Sequence, residues 1–168
     1  MIAVSQNLRL IIDSAHPRLL SIQETRASEK PYPEKWSIKE VLGHLIDSAA
    51  NNHQRIVRMQ ESPNIGSFTY TQQHWVSSQH YQSEAWQDIV ECWFRYNAHI
   101  AHIIAHADPA SLDHVCDMGY ALPATLRFVI EDYTRHVEHH LGQIFEDADP
   151  RERKKWVRSD AGERHTQA

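Results

Sequence analysis

Apolar residues recur at three- and four-residue intervals in four long stretches of this chain, the spacing that lines one face of an α-helix. The first stretch runs from about Val4 to Ala27, with Val4, Leu8, Ile11, Ile12, Ala15, Leu19 and Ile22 on its stripe. Pro17 falls inside it and is expected to kink or split the helix after Ala15 or His16, because proline removes a backbone donor and crowds the preceding turn. The second begins at Ser37, where Glu40 three positions on completes a capping-box pattern. It continues through Val41, Leu45, Ala49, Ile56 and Met59 and stops before Pro63. The third spans about Ser83, read as its cap, to Ala107, with Ile89, Val90, Trp93, Ile100, Ile103 and Ile104 facing inward. The fourth, about Leu126 to Asp147, carries Leu126, Ile130, Tyr133, Val137 and Ile144.

The connections differ in character. KPYPEKW, before the second helix, reads as extended chain stiffened by two prolines. Residues 62–82 form a long connection with a short helical turn near Gln72 to Ser78. Connections of that length are usually functional or disordered, and the aromatics Phe68, Tyr70, Trp75 and Tyr81 argue against disorder. No stretch alternates convincingly as a strand. The expected fold is therefore all-α, a four-helix bundle over residues 1–149, followed by a charged tail at 150–168.

Composition narrows the function. A chain of 168 residues suits one domain with a real core. The net charge of −5, with no basic run outside the tail RERKK, argues against a nucleic-acid partner. No run of eighteen apolar residues occurs and no signal peptide is read at the start, so no membrane association is expected. Cys92 and Cys116 read as reduced thiols of a cytoplasmic protein. Thirteen histidines remain the compositional oddity.

Helical geometry sorts them. Within DYTRHVEHHLGQ, His140 lies about 40° and His136 about 80° from the centre of the fourth stripe, on one flank, whereas His139 points about 140° away. An i, i+4 histidine pair on an inner flank suits a divalent cation. The alternative is a pair of edge histidines bonded to their neighbours. A catalytic set needs a third ligand from another helix. His99, His102 and His106 fall on the solvent side of the third helix. On the second helix, neither His44 nor His53 is selected by periodicity, and the choice stays open on this ground.

Two segments resemble a known family. WSIKEVLGHLIDSAANNHQRI resembles the second helix of the DinB/YfiT-like metalloprotein superfamily, with its W-S-x-x-x-x-x-x-H-L-x-D context, and TLRFVIEDYTRHVEHHLGQI resembles its last helix. FTYTQQHWVSSQHYQSEAW is similar to the family's central loop and third-helix start, so the resemblance covers about residues 4–147. It implies an up-down-down-up bundle and a metal site at His44, His136 and His140, with zinc or nickel favoured over iron or manganese. It also implies an enzyme that uses a low-molecular-weight thiol, of the S-transferase or isomerase type, or else a hydrolase with metal-activated water. A metal-binding oligomerisation module without turnover is the third alternative.

Three ligands leave a coordination position open for chemistry. Beside them, Tyr133 and Gln143 share the histidine flank and can orient a ligand, although core packing and solvation also explain them. Arg55 suits the carboxylate of an anionic thiol, or a surface ion pair. Trp75 is a further candidate substrate contact. No Asp or Glu stands out as a general base, which tilts the reading toward thiol chemistry. A small-molecule substrate is expected, and five tryptophans together with the family's habit suggest a homodimer.

Overall fold

The computed structural model describes residues 1–148, so the expected tail at 150–168 lies outside the described residues. Among the described residues are six α-helices and three short strands: α1 (Ile2–Leu20), α2 (Glu24–Ser28), α3 (Ile38–Glu61), β1 (Asn64–Ser67), α4 (Gln72–Gln79), α5 (Trp86–Ala105), β2 (Val115–Asp117), β3 (Ala124–Thr125) and α6 (Leu126–Ala148). The bundle consists of α1, α3, α5 and α6. Each packs on two of the others, with α1 diagonal to α3 and α5 diagonal to α6.

Hydrogen bonds at the helix ends fix the directions. Ser5, near the start of α1, donates to the Ala101 carbonyl near the end of α5 (2.6 Å), so these two run antiparallel. The ends of α3 and α5 share one end of the bundle, where the Asp108 amide donates to Gln60 Oε1 and the Val115 amide to the Pro63 carbonyl. Helix α6 starts at that same end, with the Leu126 amide donating to the His114 carbonyl. The order is up-down-down-up. Because α3 and α5 are parallel, residues 62–85 must travel back along the bundle, and they do so through β1, α4 and a 3-10 turn at Tyr81–Ser83. That is why the connection is long.

Three expectations are corrected. Pro17 does not split the first helix: α1 continues to Leu20, and the break comes at Ser21 to Gln23 before the separate α2. Proline this close to a helix end removes one hydrogen bond from the last turn and leaves the rest intact. Ser83 does not cap α5, since it belongs to the 3-10 turn and Ala85 precedes the helix. A small sheet is also present, β1 parallel to β2 and β2 antiparallel to β3, with strands of four, three and two residues. Strands that short carry no readable alternation.

The capping box at Ser37 forms as its pattern predicts: Ser37 Oγ accepts from the Glu40 amide at 3.2 Å and Glu40 Oε2 from the Ser37 amide at 2.8 Å. Beyond it, α3 is the most enclosed helix, flanked by α5 and α6 and also by α2, α4 and the 3-10 turn. Polar residues Lys39, His44, Asp47, Ser48, Asn51, Asn52 and Arg55 are therefore buried on it together with its apolar stripe. Among the described residues no helix is long and apolar enough to cross a membrane.

Candidate metal centre

Where α3 and α6 face each other, His44 Nε2 lies 3.1 Å from His136 Nε2. His140, one turn further along α6, sets its ring 4.9 Å from that of His44 and 4.5 Å from that of His136. One ligand nitrogen from each of the three lies within 4.8 Å of the others, the one such group among the described residues. His44 is fully buried and the other two are half-buried. Trp36, from the loop before α3, closes over His44 with ring centroids 5.2 Å apart.

Burial keeps these imidazoles in the form a cation needs. It pulls His44 down to about 4, helped by the nearby His140. It pulls His136 down to about 3, with further repulsion from His140, His44 and His139. His140 is lowered as well, first by burial, against an opposing hydrogen bond to Gln143. In that bond His140 Nδ1 sits 3.1 Å from Gln143 Oε1, an acceptor, so Nδ1 carries the proton and Nε2 keeps its lone pair.

The arrangement fits a divalent cation on a further observation. Bonds of about 2.0–2.1 Å from two nitrogens 3.1 Å apart would meet at about 100°, between octahedral and tetrahedral angles. His44 Nδ1 is buried with no hydrogen-bond partner, as is Asp47 Oδ2 one turn along the same helix. Asp47 Oδ1, by contrast, accepts from Tyr81 Oη at 2.7 Å and from Gln79 Nε2. Desolvation raises the Asp47 carboxyl to about 6, against these two hydrogen bonds.

A polar cavity of about 260 Å³ opens beside His136. Helix α3 contributes Ser48, Asn52 and Arg55 to its wall, and α6 contributes Asp132, Tyr133 and His136. Tyr70, between β1 and α4, and Tyr120, between β2 and β3, also line it.

The remaining sequence candidates fall as follows. His139 is exposed on the outer face of α6. His99 and His102 are exposed on α5 with their rings stacked, His106 follows at its C-terminal end, and His53 joins that row through Tyr96 and His99 rather than the triad. Gln143 bonds to His140 and is not merely solvated. Tyr133 is buried, donates to Asn97 Oδ1, and lines the cavity. Arg55 makes no surface ion pair among the described residues: it is buried and bonds to the Phe68 carbonyl and Asn52. Trp75 is not on the cavity wall but packs edge-on against Tyr70, which is, with centroids 5.5 Å apart. Asp132 was missed in the sequence, although it stands one turn before His136 on the same flank.

Residues 8–144, a span that includes all three histidines, match the family model of the DinB superfamily. The chain belongs to the DinB superfamily. No curated protein matches the sequence. The fold is similar to the solved structure of YfiT from Bacillus subtilis, described as a probable metal-dependent hydrolase with an unusual four-helix bundle topology. The TM-score is 0.76 at 14% identity, over 92% of this chain and 87% of that one. At that identity the likeness is one of fold.

Proposed function

We propose that this DinB-superfamily protein is a metal-dependent enzyme acting on a small polar molecule, and that hydrolysis is its reaction. The observation that carries the reading is the convergence of three neutral imidazoles from two helices, one of which, His136, also lines a polar cavity. His44, His136 and His140 would hold the cation through Nε2. A donor set of imidazole nitrogens without a carboxylate favours zinc or nickel over manganese, with iron between. A divalent cation bound there would acidify coordinated water or thiol and polarise a carbonyl oxygen.

The chain's own residues supply the rest. Gln143 holds the tautomer of His140, and Trp36 excludes water from the His44 side. Ser48 and Asn52 offer hydrogen bonds to a substrate in the cavity, while Tyr133, tied to Asn97, gives it a fixed wall. Asp132, on the cavity wall one turn from His136, accepts from Arg135 through Oδ1 and would take a proton on its other oxygen as water attacks. Its presence is what turns the preference toward hydrolysis.

Transfer or isomerisation with a low-molecular-weight thiol is the second reading. It is favoured by the length of the same cavity, which runs from His136 to Arg55 and can take a ligand extended along the α3–α6 seam. The test is turnover by protein stripped with a chelator and reloaded with zinc or nickel, on small esters, amides and alkyl electrophiles, with and without thiols. Thiol-independent hydrolysis restored by metal and lost in Asp132→Asn is the expected result. Turnover only with thiol would replace it by the second reading. Stoichiometric metal without turnover on any substrate would favour a non-catalytic binding module.

A further inference from the structure

Arg55 is a buried cation that makes no ion pair among the described residues, Asp132 across the cavity acting on it only at longer range. Its side chain is 4% exposed, and among the described residues no carboxylate stands within ion-pair distance of its guanidinium. Charges that fully buried are normally paired, because desolvation costs several kcal/mol per ion. Nε and Nη2 donate to the Phe68 carbonyl at 3.2 and 2.6 Å, and Nη1 donates to Asn52 Oδ1 at 3.2 Å. A guanidinium has five N–H donors, so these three bonds leave two unassigned. The rings of Phe68 and Tyr70 lie 5.6 and 5.9 Å from its central carbon, which fixes the fork in place.

The fork faces the cavity that also reaches His136. The one acidic residue on the wall, Asp132, has its Oδ1 engaged by Arg135 Nη2 at 3.0 Å. We infer that this end of the cavity is an anion subsite, in which Arg55 holds the carboxylate of a small ligand whose reacting end lies at the histidine centre. The inference rests on the metal-dependent reading and adds to it the class of molecule. Arg55 stands eleven residues beyond His44 on α3, about 16 Å along the axis. Its side chain leans back toward the helix start, leaving on the order of 10 Å between carboxylate and cation. The ligand is therefore elongated and acidic at the end remote from the reaction.

Such a carboxylate can belong to the substrate or to a thiol, and the test separates them. Calorimetric titration of the metal-loaded full chain would compare glutarate with neutral glutaramide, and 3-mercaptopropionate with neutral 2-mercaptoethanol. Wild type, Arg55→Lys, Arg55→Gln and His44→Ala are titrated in parallel, each after its helical signal is checked. A preference for glutarate that falls about tenfold in Arg55→Gln and survives in His44→Ala supports the subsite with the substrate as source. The same pattern for 3-mercaptopropionate supports it with a thiol as source. No charged-over-neutral preference in wild type overturns it, whatever Arg55→Gln does to folding. Binding that survives Arg55→Gln but vanishes in His44→Ala also overturns it, because the carboxylate is then on the cation. Failure of the metal-dependent reading alone would leave glutarate binding intact.

Discussion

The ring of Tyr81 occupies the space that a side chain on Gly43 would fill. A β-carbon built at Gly43 would stand 2.2 Å from Tyr81 Cδ2, and the same ring carries the hydroxyl that donates to Asp47, one turn along α3. A glycine inside a long helix costs about 1 kcal/mol in propensity, and here it lets the 3-10 turn press flat against the helix that bears His44.

Gly43→Ala is therefore predicted to destabilise despite its better helix propensity, by about 1–3 kcal/mol, the usual cost of overpacking. Equilibrium denaturation in urea measures it. An unchanged or raised midpoint would mean that Tyr81 is free to swing away.

Asp47 gives a prediction with a definite pH sign. Burial raises its folded pKa to about 6 from an ordinary 3.8, so the folded state holds this proton more tightly than the unfolded one. Its contribution to stability is present below about pH 4 and is lost as pH rises through about 6. Asn keeps an acceptor for Tyr81 without the charge. Metal-free Asp47→Asn should be more stable than wild type by about 1–2 kcal/mol at pH 8, with the gain gone near pH 4. A variant less stable at pH 8 would contradict the buried-charge account.

The histidines run the other way. An exposed imidazole would lose its cation as pH falls through about 6. Burial has moved His44 to about 4 and His136 to about 3. Proton competition for metal in the folded protein should accordingly set in only below about pH 5. The metal-free protein should also lose stability as pH falls from about 6.5 toward those values, because the unfolded chain takes up the protons first. Each histidine accounts for at most about 2 kcal/mol by pH 5. Chelator-treated His136→Leu should show a flatter decline between pH 7 and pH 5 in chemical denaturation; an equally steep one would remove His136 as its source.

The bundle was legible because its helices repeat a stripe long enough to be read. On α6 that stripe also separated His136 and His140 from His139. On α3 it left the choice open: neighbours enclose most of that helix, so burial of His44 and Arg55 follows from tertiary position and not from the apolar stripe. A different signal was present there. His44, Ser48, Asn52 and Arg55 follow one another at spacings of four, four and three, as do Asp132, His136, His140 and Gln143 on α6. Two polar stripes at helical period mark the seam that holds the centre and its cavity. The small sheet left no such trace, its strands being shorter than any period.

The most direct measurement is metal content of purified single variants by elemental analysis. His44→Ala, His136→Ala and His140→Ala should each lose stoichiometric zinc or nickel or hold it far more weakly, since one nitrogen of three is removed. His139→Ala, whose side chain is exposed beside the centre, should retain metal as wild type does. Retention in His44→Ala, or loss in His139→Ala with retention in His136→Ala, would contradict a centre built across α3 and α6.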